Sequence, residues 1–117
     1  MTASEVISRA RLRLNDQDEA NYRWSDANLL LYLSDGIQEA VTKRPDVQLA
    51  AAGTLSTLAD VTALTDTISL DDSLRPVLAD YVAFLALIEE DPDKKDEERA
   101  TKFYDSYLQG LYGNQGR

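Results

Sequence analysis

Apolar residues recur with helical spacing in four separate stretches of the chain. Positions three and four apart share one face of a helix, so each stretch predicts a helix that buries one side. The first two stretches predict helices over about residues 3–14 and 25–43, and each begins beside a residue suited to cap it, Thr2 and Ser25. Pro45 ends the second helix, because its ring disfavours helical geometry at the preceding residue.

The C-terminal half predicts helices over about residues 73–91 and 94–112. The third helix is apolar on nearly every side, which is typical of a helix surrounded by protein. We therefore expect it at the centre of the fold. Pro92 separates it from the fourth helix, and a short flexible tail is expected over 113–117.

Two glycines lie within these helical stretches. Gly36 costs up to ~1 kcal/mol relative to alanine in a helix, so we interpret it as a point of close packing by a neighbouring helix. Gly110, Gly113 and Gly116 together are expected to end the fourth helix and lead into the short polar tail over 114–117.

The segment over 46–71 breaks the helical pattern, with four aspartates and no basic residue. Its alternation Thr-Ile-Ser-Leu at 67–70 predicts a short strand half facing the core, with 47–49 or 54–58 as its partner. A connection of about 25 residues usually has a function or its own structure. The sequence thus predicts one mainly α domain over 1–117: a four-helix bundle with a long middle loop and a short β-hairpin as an option within it.

Composition excludes several kinds of chemistry. The 117 residues include no cysteine and no histidine, which removes disulfides, thiolate nucleophiles, the usual zinc ligands and histidine acid–base catalysis. Twelve basic and 21 acidic residues give a net charge of −9, and no basic patch could neutralise a row of phosphates. The longest apolar run, 77–88, is interrupted by Asp80 and is too short to span a membrane, and no signal peptide is evident. We expect a soluble protein made inside the cell.

Acidic residues crowd the junction of the third and fourth helices, with seven between positions 89 and 98. The main interpretation is a solvated turn, and the alternative is a surface that repels nucleic acid passing nearby. The run lacks the glycine and the alternation of a calcium-binding loop, and its acids look too exposed for acid–base work. We predict no catalytic, metal-binding or cofactor-binding residues and no enzymatic activity.

Aromatic residues mark two further places. Tyr22, Arg23 and Trp24 precede the second helix, where an aromatic side chain can pack the incoming chain against the helix; a contact with another protein is the alternative. Tyr112 follows the last firm turn of the fourth helix, and we expect it at an interface.

The motif Arg23-Trp24-Ser25, followed by a leucine-rich helix and then Arg-Pro-Asp, resembles the adaptor, or head–tail connector, proteins of tailed bacteriophages. The opening TASEVISRARLRLND is similar to their first helix. The later order ISL, apolar helix, ED and a helix containing RA and FY also follows their plan. The resemblance covers nearly the whole chain, and it rests on the order and spacing of motifs that are each moderately specific.

This resemblance implies a structural virion protein of the phage neck. Family members are small helical bundles that form a ring, often a dodecamer, beneath the portal, where they extend the DNA channel and join the portal to the tail. The implied partners are the portal protein, other neck and tail-completion proteins and further copies of the chain; DNA passes without specific binding, and no membrane is involved. We expect the free chain, made in the host cytoplasm, to be largely monomeric until the portal templates the ring.

The family's middle loop and C-terminal segment usually make these contacts. Carried over to this sequence, the candidate ring-contact residues in the loop are Val47, Leu49, Leu55, Leu58, Val61 and Leu64. The candidate contacts with the portal or a neighbour are Leu111, Tyr112, Asn114, Gln115 and Arg117.

A second class of function also suits an acidic chain: a small inhibitor or DNA mimic that binds a basic site on another protein. Such a mimic needs acids arranged as a phosphate-like row on one face. Lys94, Lys95, Arg99 and Lys102 interrupt that row.

Overall fold

The computed structural model describes residues 1–44, 61–68, 70, 72–89 and 94–113. Four α-helices lie in these ranges: α1 (Ala3–Leu14), α2 (Asp26–Lys43), α3 (Arg75–Glu89) and α4 (Lys94–Gly113). The short 3-10 turns Glu19–Asn21 and Asp72–Leu74 precede α2 and α3. The mainly α four-helix bundle expected from the sequence is confirmed.

The first two helices begin at the residues that the sequence indicates as caps. The hydroxyl of Thr2 accepts a hydrogen bond from the N–H of Glu5 at 3.3 Å, and that of Ser25 accepts one from Asn28 at 3.2 Å. At its other end α1 is closed by Asn15, which has a left-handed φ of 56° and whose N–H donates back to the last turn. Local sequence therefore sets the limits of α1 and the start of α2.

Helix α3 is the central element of the bundle. It packs against α1, α2 and α4, and nine of its fifteen residues are buried. Burying a Val or Leu side chain contributes roughly 1.5–3 kcal/mol, so α3 is the main hydrophobic support of the other helices. None of the helices in the described ranges is long and apolar enough to cross a membrane.

Two glycines allow helices to approach α3 closely. A Cβ added at Gly36 of α2 would lie 2.9 Å from Cδ1 of Tyr81, which confirms the close packing predicted there. A Cβ at Gly110 would lie 2.7 Å from Cγ2 of Val77. Gly110 is an interior position of α4, where its backbone contacts α3, and the helix continues to Gly113, close to the expected end at about residue 112.

The described part of the predicted strand pairs with the N-terminal residues. Thr67 forms an isolated antiparallel bridge with Thr2, and the N–H of Ile68 donates to the carbonyl of Met1 at 2.8 Å. Ile68 is buried and Thr67 is exposed, as the alternation predicts. Both segments proposed as the strand's partner lie outside the described residues. Within the described residues, the pairing is made by the extended backbone of Thr2, just ahead of α1.

The C-terminal end of the middle loop is attached to α2. The hydroxyl of Ser34 donates to the carbonyl of Val61 at 3.0 Å and accepts from its N–H at 3.1 Å. The carboxylate of Asp66 accepts hydrogen bonds from the N–H groups of Thr62 and Ala63, which lower its pKa. These bonds make this end of the loop part of the bundle.

Candidate interaction site

The motif Arg23-Trp24-Ser25 forms a structural junction between helices. Trp24 is buried, and its indole N–H donates to the carbonyl of Ala86 in α3 at 2.9 Å. The Arg23 guanidinium lies over the Trp24 ring, 4.3 Å from its centroid. Ser25 caps α2. Trp24 thus occupies the packing position of the main interpretation, and its side chain is not accessible to another protein.

Arg11 is a buried cation at the same junction, and sequence reasoning missed it. Its Nη1 donates to Asp16 at 2.8 Å and to the carbonyl of Trp24 at 2.9 Å, while Nη2 donates to Asp26 at 2.6 Å. The Tyr22 ring covers it, with Cζ 3.5 Å from the ring centroid. A buried charge is costly unless it is paired, and here every contact ties the end of α1 to the start of α2. The available signal was a single arginine on the apolar face of α1.

Asp80 is a second buried charge, on the central helix α3. Its Oδ1 accepts from Nε of Arg13 at 2.6 Å, and its Oδ2 accepts from the hydroxyl of Ser106 at 2.8 Å. These two bonds join α3 to α1 and to α4. The one acid within the apolar run is therefore a structural link between three helices.

A tyrosine cluster joins α2 to the C-terminal half of α4. The hydroxyl of buried Tyr107 donates to the carboxylate of Glu39, whose other oxygen lies 3.3 Å from Nζ of Lys43. Burial raises the pKa of Tyr81 to about 12 and raises the pKa of Tyr107 still further above its ordinary value. Both phenols keep their protons at neutral pH, so the cluster holds helices together rather than exchanging protons.

The C-terminal contact residues predicted from the sequence separate into two groups. Leu111 is fully buried, and its carbonyl accepts a hydrogen bond from the guanidinium of Arg44, a favourable position for a cation at a helix C-terminus. As a core residue, Leu111 is not the surface contact that we expected. Tyr112 is 43% exposed and remains accessible. Asn114, Gln115 and Arg117 lie outside the described residues.

The loop residues predicted to contact a neighbour behave similarly where they are described. Val61 is buried in the core, and half-buried Leu64 packs against it, so both face inward. Their hydrogen-bonded attachment to α1 and α2 turns these side chains away from solvent. The other four candidates, Val47, Leu49, Leu55 and Leu58, lie outside the described residues.

Four large apolar side chains are exposed in the described ranges, one on each helix. They are Leu12 (61%), Leu31 (64%), Ile88 (38%) and Tyr112 (43%). Sequence reasoning singled out only Tyr112. Leu12 and Leu31 lie outside the apolar stripe of their own helices, which is the signal that could have identified them.

Two open surface depressions flank α1. One, of about 370 Å³, lies at the C-terminal end of α1 and includes Trp24 and Arg99; the other, of about 520 Å³, follows the outer face and includes Arg9 and Leu12. In the described part of the chain, no group of three or more acidic, histidine or cysteine side chains could hold a metal ion.

Comparisons of the chain with protein-family models, with curated proteins and with solved structures found no match.

Proposed function

We propose that the protein is a structural virion protein, an adaptor ring of the phage neck that joins the portal to the tail and extends the DNA channel. The observation that carries this proposal is that polar side chains hold the helices together while large apolar side chains are exposed. Arg11, Asp80 and Tyr107 make contacts that hold helices together, while every helix exposes a large apolar side chain. In this proposal, these exposed side chains are the candidate contact points for neighbouring subunits.

The motif order that resembles the adaptor family supports the same proposal. Arg23-Trp24-Ser25 makes the contacts that orient α2 against α1 and α3, so the motif has a physical role in a bundle of this kind. We expect the same motif ahead of a leucine-rich helix in other proteins that share this junction between helices.

The net charge of −9 is compatible with DNA passing through the ring. A negatively charged wall repels the phosphate backbone, so the duplex slides without being held. This is also why the proposal includes no specific DNA site.

Portal contacts are proposed at Tyr112 and the residues that follow it. A deletion of residues 114–117 tests this without disturbing the core, because it leaves buried Leu111 and the last turn of α4 in place. We expect the full chain to co-sediment with the portal protein of the same phage, and the shortened chain to lose co-sedimentation while its helical circular dichroism is unchanged.

Tyr112→Ser is a second variant for the same assay, and Leu31→Ser is its control because it removes an exposed apolar side chain from α2. We expect portal binding to weaken more for Tyr112→Ser than for Leu31→Ser. Failure of the full chain to bind the portal would overturn the proposed function, and capture by a basic nucleic-acid enzyme would favour the DNA-mimic alternative.

A further inference from the structure

The outer face of α1 presents an exposed leucine beside a cation. Leu12 is 61% exposed, and Arg9, also exposed, lies one turn before it. In the depression that these two residues line, Arg75 pairs with Glu5 at 2.6 Å and lies 3.6 Å from Asp72, so those charges compensate one another. The guanidinium of Arg9 makes no ion pair within the described residues. This face, called here the α1 face, is therefore apolar and positively charged.

The end of α3 presents the opposite combination. Ile88 is 38% exposed and is followed directly by exposed Glu89. Glu97 and Glu98 in the first turns of α4 are exposed as well. This face, called here the α3 end, consists of Ile88 and Glu89 and is apolar and negatively charged.

The two faces cannot meet within one molecule. Arg13, next to Leu12 in the chain, pairs with Asp80 of α3 at 2.6 Å. Eight residues separate Asp80 from Ile88, which is about 12 Å along the helix axis. The Trp24 side chain, which donates a hydrogen bond to the carbonyl of Ala86, occupies part of that distance. A contact between Leu12 and Ile88 therefore requires two copies of the chain.

We propose that the α1 face of one copy binds the α3 end of the next. Leu12 packs against Ile88, and Arg9 faces Glu89. Because the two surfaces differ, the contact is head-to-tail, and repetition closes a ring when the rotation per subunit allows it. This inference rests on the proposed function, since it names the contact between neighbours in the ring.

The proposed contact is weak because of the groups that form it. It joins two single aliphatic side chains and exposed charges, and exposed ion pairs contribute little in water. Such a contact forms when a template raises the effective concentration of the subunits. A monomer in dilute solution that assembles on the portal is the behaviour expected of it.

Disulfide cross-linking tests this pairing, and the absence of cysteine from the chain leaves no background. The variants are Leu12→Cys and Ile88→Cys, both at exposed positions, so folding should be preserved. Each variant alone, and the two mixed, are oxidised mildly at high concentration and on the portal. We expect dimers linked between positions 12 and 88 in the mixture, and a ladder of oligomers from the double variant.

Leu31→Cys is the matched control, because Leu31 is as exposed as Leu12 but belongs to neither face. We expect it to stay monomeric with either partner. Arg9→Glu should slow cross-linking between positions 12 and 88 by about tenfold, since it places like charges together, and Glu89→Arg in the partner should restore most of the rate. Cross-linking of Leu31→Cys at the same rate, or faster linking of Leu12→Cys to itself, would overturn the head-to-tail contact.

The outcome for this contact is separable from the outcome for the proposed function. A ring that forms on the portal without cross-linking between positions 12 and 88 shows that the contact is wrong and leaves the adaptor function standing. Specific cross-linking between positions 12 and 88 in a protein that does not bind its portal supports the contact and overturns the adaptor function.

Discussion

Buried polar side chains determine how the helices of this small bundle are placed against one another. Arg11 joins the end of α1 to the start of α2, Asp80 joins three helices, and Tyr107 joins α4 to α2. A buried polar group without its partner costs about 1–3 kcal/mol, and more when it is charged. Each of these residues therefore disfavours arrangements in which its partners are absent.

Removing the carboxylate of Asp80 should be costly. In Asp80→Ala, the guanidinium of Arg13 and the hydroxyl of Ser106 lose their acceptor in a largely buried position. We expect the free energy of unfolding to fall by about 2–4 kcal/mol, measured by urea denaturation. Asp105→Ala, at an exposed position of α4, is the control and should change it by less than about 0.5 kcal/mol. Similar losses for the two variants would show that the link is not important for stability.

Two tyrosines, the buried Tyr107 and the partly buried Tyr81, predict a loss of stability in alkali. The pKa of Tyr81 is raised from 10.0 to about 12, and the pKa of Tyr107 is raised further, so the folded state holds both protons more tightly than the unfolded state does. Both contributions are complete below pH 10; that of Tyr81 is lost as the pH rises from 10 towards 12, and that of Tyr107 is lost over a range that extends higher.

An alkaline titration that follows both tyrosinate absorbance and helical circular dichroism measures this loss. We expect ionisation of these two tyrosines, identified by comparison with Tyr81→Phe and Tyr107→Phe, to coincide with the loss of helix. Ionisation with the helical signal intact would contradict the burial that raises these pKa values.

At the scale of the elements, caps and apolar spacing were enough to predict the helices but not which segments contact one another. Caps at Thr2 and Ser25 and the apolar stripes predict where α1 and α2 lie. The pairing of Thr2 with Thr67 could not be predicted in the same way, because it depends on the tertiary arrangement of distant segments. Gly110 shows the same limit: the local sequence gives no sign of its packing role, and only its neighbour Val77 reveals it.

Gly110→Ala should therefore destabilise the protein, although alanine favours a helix more than glycine does. Alanine favours a helix over glycine by up to about 1 kcal/mol, but its Cβ would lie 2.7 Å from Cγ2 of buried Val77. We expect a net loss of about 1–2 kcal/mol in urea denaturation, and no such loss when the substitution is made in a Val77→Ala background.

Gly113→Ala is the matched control for this substitution, since a Cβ there meets nothing within 4 Å, and it should leave stability unchanged or raise it. If Gly110→Ala stabilised the protein as much as Gly113→Ala does, the close approach of α4 to α3 would be wrong.

At the scale of the whole molecule, sequence reasoning was least successful at predicting which apolar side chains are exposed. Tyr112 is accessible and its place at an interface stays a prediction, whereas Leu111 and Val61 are core residues and Leu12 and Ile88 were missed. Exposure of an apolar residue depends on which helices cover it, and the spacing along one helix does not contain that information. Of the acids crowded over 89–98, the described Glu89, Glu97 and Glu98 are exposed, as the interpretation of a solvated turn expects.

The central claim is that the protein works by occupying a place in an assembly, and electron microscopy of the chain mixed with its portal protein tests it most directly. The account predicts an additional ring of this chain on one face of the portal, with a central opening in line with the portal channel. A portal without added density, in the presence of excess folded monomer, would contradict it.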